Sequence, residues 1–272
     1  MKLHYYKPSD GSSNFGDELN KYLWEHYFPN FFDDDETQVF FGIGTILQAA
    51  KKFYPKSEII VFGSGAINGE QKKEDNFTVK FVRGPLSAAA LNDGNSAYIT
   101  DPAILTPALY PAKNSEKKFT FSYIPHYSVA NNSYRKAVER LGIKYIDPRD
   151  PIHEIIDAVN ASETMICEAM HGAIVADSYR VPWIPVCSFQ SFNTFKWNDW
   201  ASSLGMTLEV QRLPRLFEGN SLSSRIKRKM FSLKLKKIMR TPSYVSDLET
   251  SEIAKEKVLK EINRFKEAYR VN

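Results

Sequence analysis

Over roughly its first two hundred residues this chain alternates short apolar runs, each closed by glycine or turn residues, with stretches of helical periodicity. Apolar runs of four to six residues with little polar alternation read as strands buried on both faces of a parallel sheet, and the helical stretches supply the crossovers between them. The fold class is therefore α/β. Strands are expected over Leu3 to Tyr6, Gln38 to Phe41, Glu58 to Phe62, Thr78 to Val82 and Ala97 to Thr100, with helices near Asp17 to Tyr27, Thr45 to Phe53 and Pro85 to Leu91. Pro85 suits a first helical turn, where its missing N–H is not needed. A breaker-rich, charged passage from Pro102 to Lys118 interrupts the pattern, dividing the chain into units of residues 1–112 and 113–272. The alternation then restarts: strand Phe119 to Ile124, helix Ser133 to Leu141, strand Lys144 to Ile146, helix Ile152 to Ala158, strand Met165 to Cys167, helix Gly172 to Tyr179 and strand Trp183 to Val186. Two α/β halves imply a cleft between them, and sheets of this kind bind ligands at the carboxyl ends of their strands.

The 272 residues, 43% of them hydrophobic, hold enough apolar material for one large core or two small ones. No basic leader followed by an apolar run opens the chain, and nowhere do about 18 apolar residues follow one another. The expectation is a cytoplasmic protein without signal peptide or membrane span. Cys167 and Cys187 lie among apolar neighbours at a spacing unlike any metal cluster, so both are expected as reduced core residues.

The net charge of +4 is unevenly spread: Arg225, Lys227, Arg228, Lys229, Lys234, Lys236, Lys237 and Arg240 fall in a stretch without a single acid. Apart from them the acids outnumber the bases, which argues against a nucleic-acid-binding body. In the same stretch, 221–240, Leu222, Ile226, Met230, Leu233 and Met239 recur at three- and four-residue steps or close to them. Such a helix fits either an anionic membrane surface, with the protein peripheral on the inner face of the cell membrane, or the flank of the second unit with a solvated basic side.

Polar and titratable residues gather where strands end. Asn14-Phe15-Gly16-Asp17 follows the first strand after the loop Ser9 to Ser13 and opens a helix, where Asp17 either caps the helix or faces a ligand. Gly42 and Gly44, then Gly63, Gly65 and Gly69, follow the next two strands without matching a dinucleotide fingerprint. Arg83, at a strand end before Pro85, either grips a phosphate or carboxylate or forms an ion pair between the units. Glu168-Ala169-Met170-His171-Gly172-Ala173 sets His171 between a buried strand and a helix, beside free N–H groups that favour an anion. His126, after the strand Phe119 to Ile124, holds the equivalent strand-end position in its own βα unit.

In order and spacing, Asn14 to Asp17, Gly63-Ser64-Gly65, Val82 to Ser87, Asp101-Pro102-Ala103, His126 and Met170-His171-Gly172-Ala173 together resemble the polysaccharide pyruvyltransferases, from about Leu3 to Leu208. Ser191-Phe192-Asn193 and Lys196-Trp197-Asn198-Asp199-Trp200 resemble the exopolysaccharide branch that forms pyruvate ketals. The resemblance implies two Rossmann-like domains in the glycosyltransferase-B manner, phosphoenolpyruvate as donor, and a hexose of a bacterial surface glycan, lipid-linked or free, as acceptor. It further implies His171 and Asp17 as catalytic residues, with Arg83, His126, Met170, Gly172 and Lys196 on the donor side. Asn14, Gly16, Ser64, Gly65, Trp197 and Trp200 belong, on the same basis, to the acceptor side or its loops. The two tryptophans either stack on sugar or pack inward. Many relatives carry arginine two positions before the histidine, where this chain has Ala169. The chemistry calls for no metal or cofactor beyond the co-substrate. A nucleotide-sugar glycosyltransferase of the same architecture and a catalytically silent glycan binder are the alternatives.

Overall fold

Each half of the chain builds one all-parallel sheet. In the computed structural model, which describes residues 1–9, 11–92, 94, 96–112, 116–189, 192–219 and 221–271, the first half comprises β1 (Lys2–His4), α1 (Phe15–Tyr27), β2 (Gln38–Phe41), α2 (Ala49–Phe53), β3 (Glu58–Phe62), β4 (Phe77–Phe81) and α3 (Pro85–Leu91). A 3₁₀ turn (Pro102–Leu105) and α4 (Thr106–Leu109) lead to the second half. That half comprises β5 (Phe119–Ile124), α5 (Asn132–Glu139), β6 (Lys144–Tyr145), α6 (Ile152–Asn160), β7 (Ser162–Cys167), α7 (Met170–Ser178), β8 (Trp183–Cys187), α8 (Thr194–Ser203) and β9 (Gln211–Arg212). Two helices close the chain, α9 (Leu222–Ile238) and α10 (Leu248–Tyr269). Asp10, Lys113 to Ser115 and Ser191, which figure in the sequence reading, lie outside the described residues.

The strands run in the order β1-β2-β3-β4 in the first sheet and β6-β5-β7-β8-β9 in the second, every pair parallel. The second order reverses direction between β5 and β7. Helices leave neighbouring strands toward opposite faces at such a point, opening a crevice beyond the strand ends. Two Rossmann-like units are thus present, as the family resemblance implied.

Several expectations differ: β1 ends at His4 and not at Tyr6, β7 begins at Ser162 and not at Met165, and α7 begins at Met170 and not at Gly172. Ala97 to Thr100 makes only an isolated bridge, Val82 to Tyr98, because Pro102 lacks a ladder donor and its turn begins at once. The helix expected from Thr45 starts only at Ala49, since the Thr45 hydroxyl is held in the loop by Arg83. The boundary at residue 112 does not contain the end of the chain. Phe265 of α10 packs at 4.8 Å from Phe28, 5.5 Å from Phe40 and 5.6 Å from Phe62, so the last helix completes the core of the first unit. These rings belong to a continuous apolar cluster that also takes in Ile124, Met165, Cys167 and Ala173 of the second unit. Cys167 and Cys187 are buried and unbonded.

Candidate active site

Asp17 owes its position to Asn20, one turn along α1. The fully buried Asn20 amide donates to the Asp17 and Ile43 carbonyls, both at 2.9 Å, and accepts from the Ile43 N–H at 2.7 Å and from Trp24 Nε1 at 3.0 Å. With its donors and acceptor all used, Asn20 clamps the first turn of α1 to the loop after β2. Asp17 is the third residue of the helix and so does not cap it; Asn14 holds the cap position and donates its amide to Asp17 Oδ2. Burial pushes the Asp17 carboxyl up to about 6, with Asp101 adding to the rise, against the opposing pull of His171, Lys196 and the Asn14 amide.

His126 and His171 follow β5 and β7, the two strands that flank the reversal of the second sheet. Glu168 joins their loops: its buried carboxylate accepts from Tyr123 Oη at 3.0 Å and from the backbone N–H groups of His126 and Ser188. The His126 ring packs 5.0 Å from Phe189, and its Nδ1 accepts from the Ser128 N–H, which leaves Nε2 to carry the proton. Burial, helped by the Lys196 charge, drops His126 to about 3, so the ring is neutral near pH 7.

His171, in the first turn of α7, lies across the backbone of Gly16. A Cβ at residue 16 would fall 2.0 Å from His171 Nδ1, so only glycine admits the ring there. On its other side His171 Nε2 stands 3.6 Å from Oδ2 of the fully buried Asp101. The Asp101 Oδ1 caps the 3₁₀ turn through the Ala103 N–H at 3.0 Å, and its Oδ2 faces the imidazole with no other partner among the described residues. This carboxylate is positioned to orient the ring. Asp101 is a site residue that the sequence motifs do not single out; the signal that marks it is an acid directly before Pro102 at the end of an apolar run.

Lys196 enters from the first turn of α8, which Asn193 caps by accepting from the Lys196 N–H at 3.1 Å. Burial lowers the Lys196 ammonium to about 8, and the Arg83 guanidinium adds to the fall while Asp17 opposes it. Asn14, Gly16, Asp17, His126, Met170, His171 and Lys196 all line a single cavity of about 740 Å³, walled by both units. Its remaining cations include Lys7 and Lys52, and Ala169 lines it as well. His4, at the end of β1, also faces the cavity and was missed; burial together with Lys2 and Lys7 lowers it to about 4.

Six expected site residues stand outside that wall. Arg83 is fully buried: Nε pairs with Asp199 Oδ2 at 3.0 Å and Nη1 donates to Thr45 Oγ1 at 2.8 Å. It is the ion pair between units, set beneath the cavity, and its charge reaches the site through Lys196. Gly65 leaves room for its guanidinium, since a Cβ there would meet Arg83 Cζ at 2.2 Å. Ser64 donates to the Gly42 carbonyl at 2.6 Å and joins the loops after β2 and β3. Gly172 lets α7 close onto Ile124 of β5. Trp197 and Trp200 are 0% exposed and pack around Trp183, so neither presents a face to a sugar.

The polysaccharide pyruvyl transferase family matches the chain over residues 14–187. The succinoglycan biosynthesis protein ExoV of Rhizobium meliloti (strain 1021) is 36% identical over 219 residues, 79% of this chain and 68% of that protein. Among solved structures, the Methanocaldococcus jannaschii UDP-GlcNAc 2-epimerase in complex with UDP-GlcNAc and UDP is similar at TM-score 0.47 and 9% identity, over 93% of this chain and 82% of that one. On the strength of the two sequence matches, this chain is an enzyme of the polysaccharide pyruvyl transferase family.

Proposed function

We propose that the enzyme transfers the enolpyruvyl carbons of phosphoenolpyruvate to two hydroxyls of a hexose in an exopolysaccharide precursor, forming a cyclic pyruvate ketal. The observation that carries this reading is the meeting of Asp17, His171 and Lys196 on one cavity between the two units, with an acid, a base and a cation in reach of one another. Membership of the family and the similarity to a succinoglycan biosynthesis protein support the glycan acceptor.

The donor carries a phosphate and a carboxylate, which call for fixed cations and N–H donors; Lys196 and the free N–H groups at the start of α7 supply them. His171 delivers a proton to the methylene carbon, and the carbon bearing the phosphate becomes oxocarbenium-like. Asp17 takes the proton of the first attacking hydroxyl as its C–O bond forms. The C–O bond to phosphate then breaks, and the second hydroxyl adds to the same carbon and loses its proton. One of the two hydroxyl protons restores His171 and the other leaves on inorganic phosphate, so methyl ketal and phosphate balance donor and diol. Incubation with phosphoenolpyruvate and a defined oligosaccharide should release one phosphate per acceptor that gains a pyruvate ketal by mass spectrometry. Turnover with a UDP-sugar, and none with phosphoenolpyruvate, would overturn the reading in favour of a glycosyltransferase.

The pH dependence follows from the same groups. Asp17 acts as a base only when ionised, so activity falls as pH drops through about 6; Lys196 binds an anion only when charged, so activity falls as pH rises through about 8. The expected profile of kcat/KM is a bell between these limits. Lys196→Met should raise the KM for phosphoenolpyruvate by roughly 10–100-fold, as for loss of a charge-assisted hydrogen bond, with a smaller change in kcat. An unchanged KM for phosphoenolpyruvate in the variant would remove Lys196 from donor binding.

A further inference from the structure

The helix α9 packs by one side only. Phe231, Leu235 and Ile238 are buried against Tyr123, Tyr134 and Val138 of the second unit. A second apolar stripe, Leu222, Ile226, Met230 and Leu233, is 75, 52, 49 and 60% exposed. Leu233 and Leu235 lie two residues apart, a little over half a turn, so the exposed stripe faces away from the packed one. Arg225, Lys229 and Lys236 run along one edge of the exposed stripe, Lys227 and Lys234 along the other, and all five are exposed. On the Arg225 edge, Arg228, Lys229 and Arg140, just past the end of α5, join in a basic groove of about 520 Å³.

We propose that this face of α9 docks the enzyme on the surface of an anionic lipid bilayer, with the stripe in the headgroup boundary and the flanking cations among the phosphates. Charge complementarity selects this occupant. Cations alone would suit any polyanion, yet four apolar side chains between two cationic rows need an apolar medium beside the charge, which the bilayer interface provides. A second copy of the chain would bring two acid-free cationic helices face to face, a repulsive arrangement. No helix among the described residues is long and apolar enough to cross a membrane, so attachment is to the surface. The inference stands on α9 alone and does not depend on which reaction the cavity performs.

The test is sedimentation with phosphatidylcholine vesicles and with vesicles of phosphatidylcholine and phosphatidylglycerol. Wild type should pellet with the anionic vesicles at low salt, progressively less as salt rises, and stay in solution with the neutral ones. The variant Arg225→Gln, Lys229→Gln, Lys236→Gln should lose on the order of a hundredfold in partition, from about fivefold per cation. The variant Leu222→Ser, Ile226→Ser, Met230→Ser, Leu233→Ser should lose at least about tenfold, and both should turn over a soluble oligosaccharide as wild type does. Hydrogen exchange of wild-type α9 should slow when anionic vesicles are added, a readout that requires no variant to fold. Four results would each overturn the proposal: no pelleting of wild type, equal pelleting with neutral vesicles, an apolar-stripe variant that binds like wild type, or a wild-type dimer that this stripe variant turns into a monomer.

Discussion

His171→Ala should lower turnover by roughly 10²–10⁴-fold, the range for loss of a positioned acid–base group, with the melting temperature nearly unchanged. The imidazole is partly exposed and packs over Gly16, so removing it opens space at a cavity wall and uncovers no large apolar surface. Two companion variants separate chemistry from packing. Asp101→Asn keeps the oxygen that caps the Ala103 N–H but removes the charge 3.6 Å from His171 Nε2, so it should lower kcat, and it should move the acid limb down because Asp101 also helps to hold Asp17 up. A merely structural Asp101 would leave kcat near that of wild type. Gly16→Ala sets a methyl carbon where the ring lies and should reproduce much of the His171→Ala loss in a folded protein. Near-normal ketal formation by His171→Ala would mean that the acid lies elsewhere.

Arg83→Met should destabilise the fold by about 3–5 kcal/mol, the cost of stranding one partner of a buried ion pair. Asp199, equally inaccessible, would keep its hydrogen bonds from the Ser87 N–H at 2.8 Å and the Ser87 hydroxyl at 2.5 Å but lose its countercharge. Asp199→Asn should cost a similar amount from the other side. In a double-mutant cycle the paired variant should lose much less than the sum, because neither charge is then left alone. Urea denaturation midpoints give all three values. The strand-end position of Arg83 left open whether it grips a ligand or an ion-pair partner, and burial against Asp199 favours the second. A stable Arg83→Met variant with a greatly raised KM for phosphoenolpyruvate would restore the first.

Much of the site was legible because its residues sit at strand ends. Periodicity locates strand ends well, and in a parallel α/β unit these ends all open toward one edge. Asp17, His126, His171 and Lys196 were found in this way or through the family resemblance, and the fold gathers them on one cavity. Trp197 and Trp200 stayed open between sugar stacking and inward packing for an equally physical reason. Their spacing on α8 defines a helix face but does not say whether that face meets sugar or Trp183, and in the fold it meets Trp183. Asp101 and Asp199 were not selected as site residues because a lone acid beside proline or on a helix is ordinary until its partner, 70 or more residues away in the chain, is known.

The sequence by itself determined the α/β class, the parallel sheets and most strand limits, because apolar runs and their punctuation are local and their period is set by backbone geometry. Tertiary structure alone decided which loops meet. It brought α10 back onto Phe28, Phe40 and Phe62, turned Arg83 toward Asp199 and set Asp101 behind His171. Each of these depends on burial and charge pairing between segments far apart in the chain, and no local pattern of residues records such a pairing.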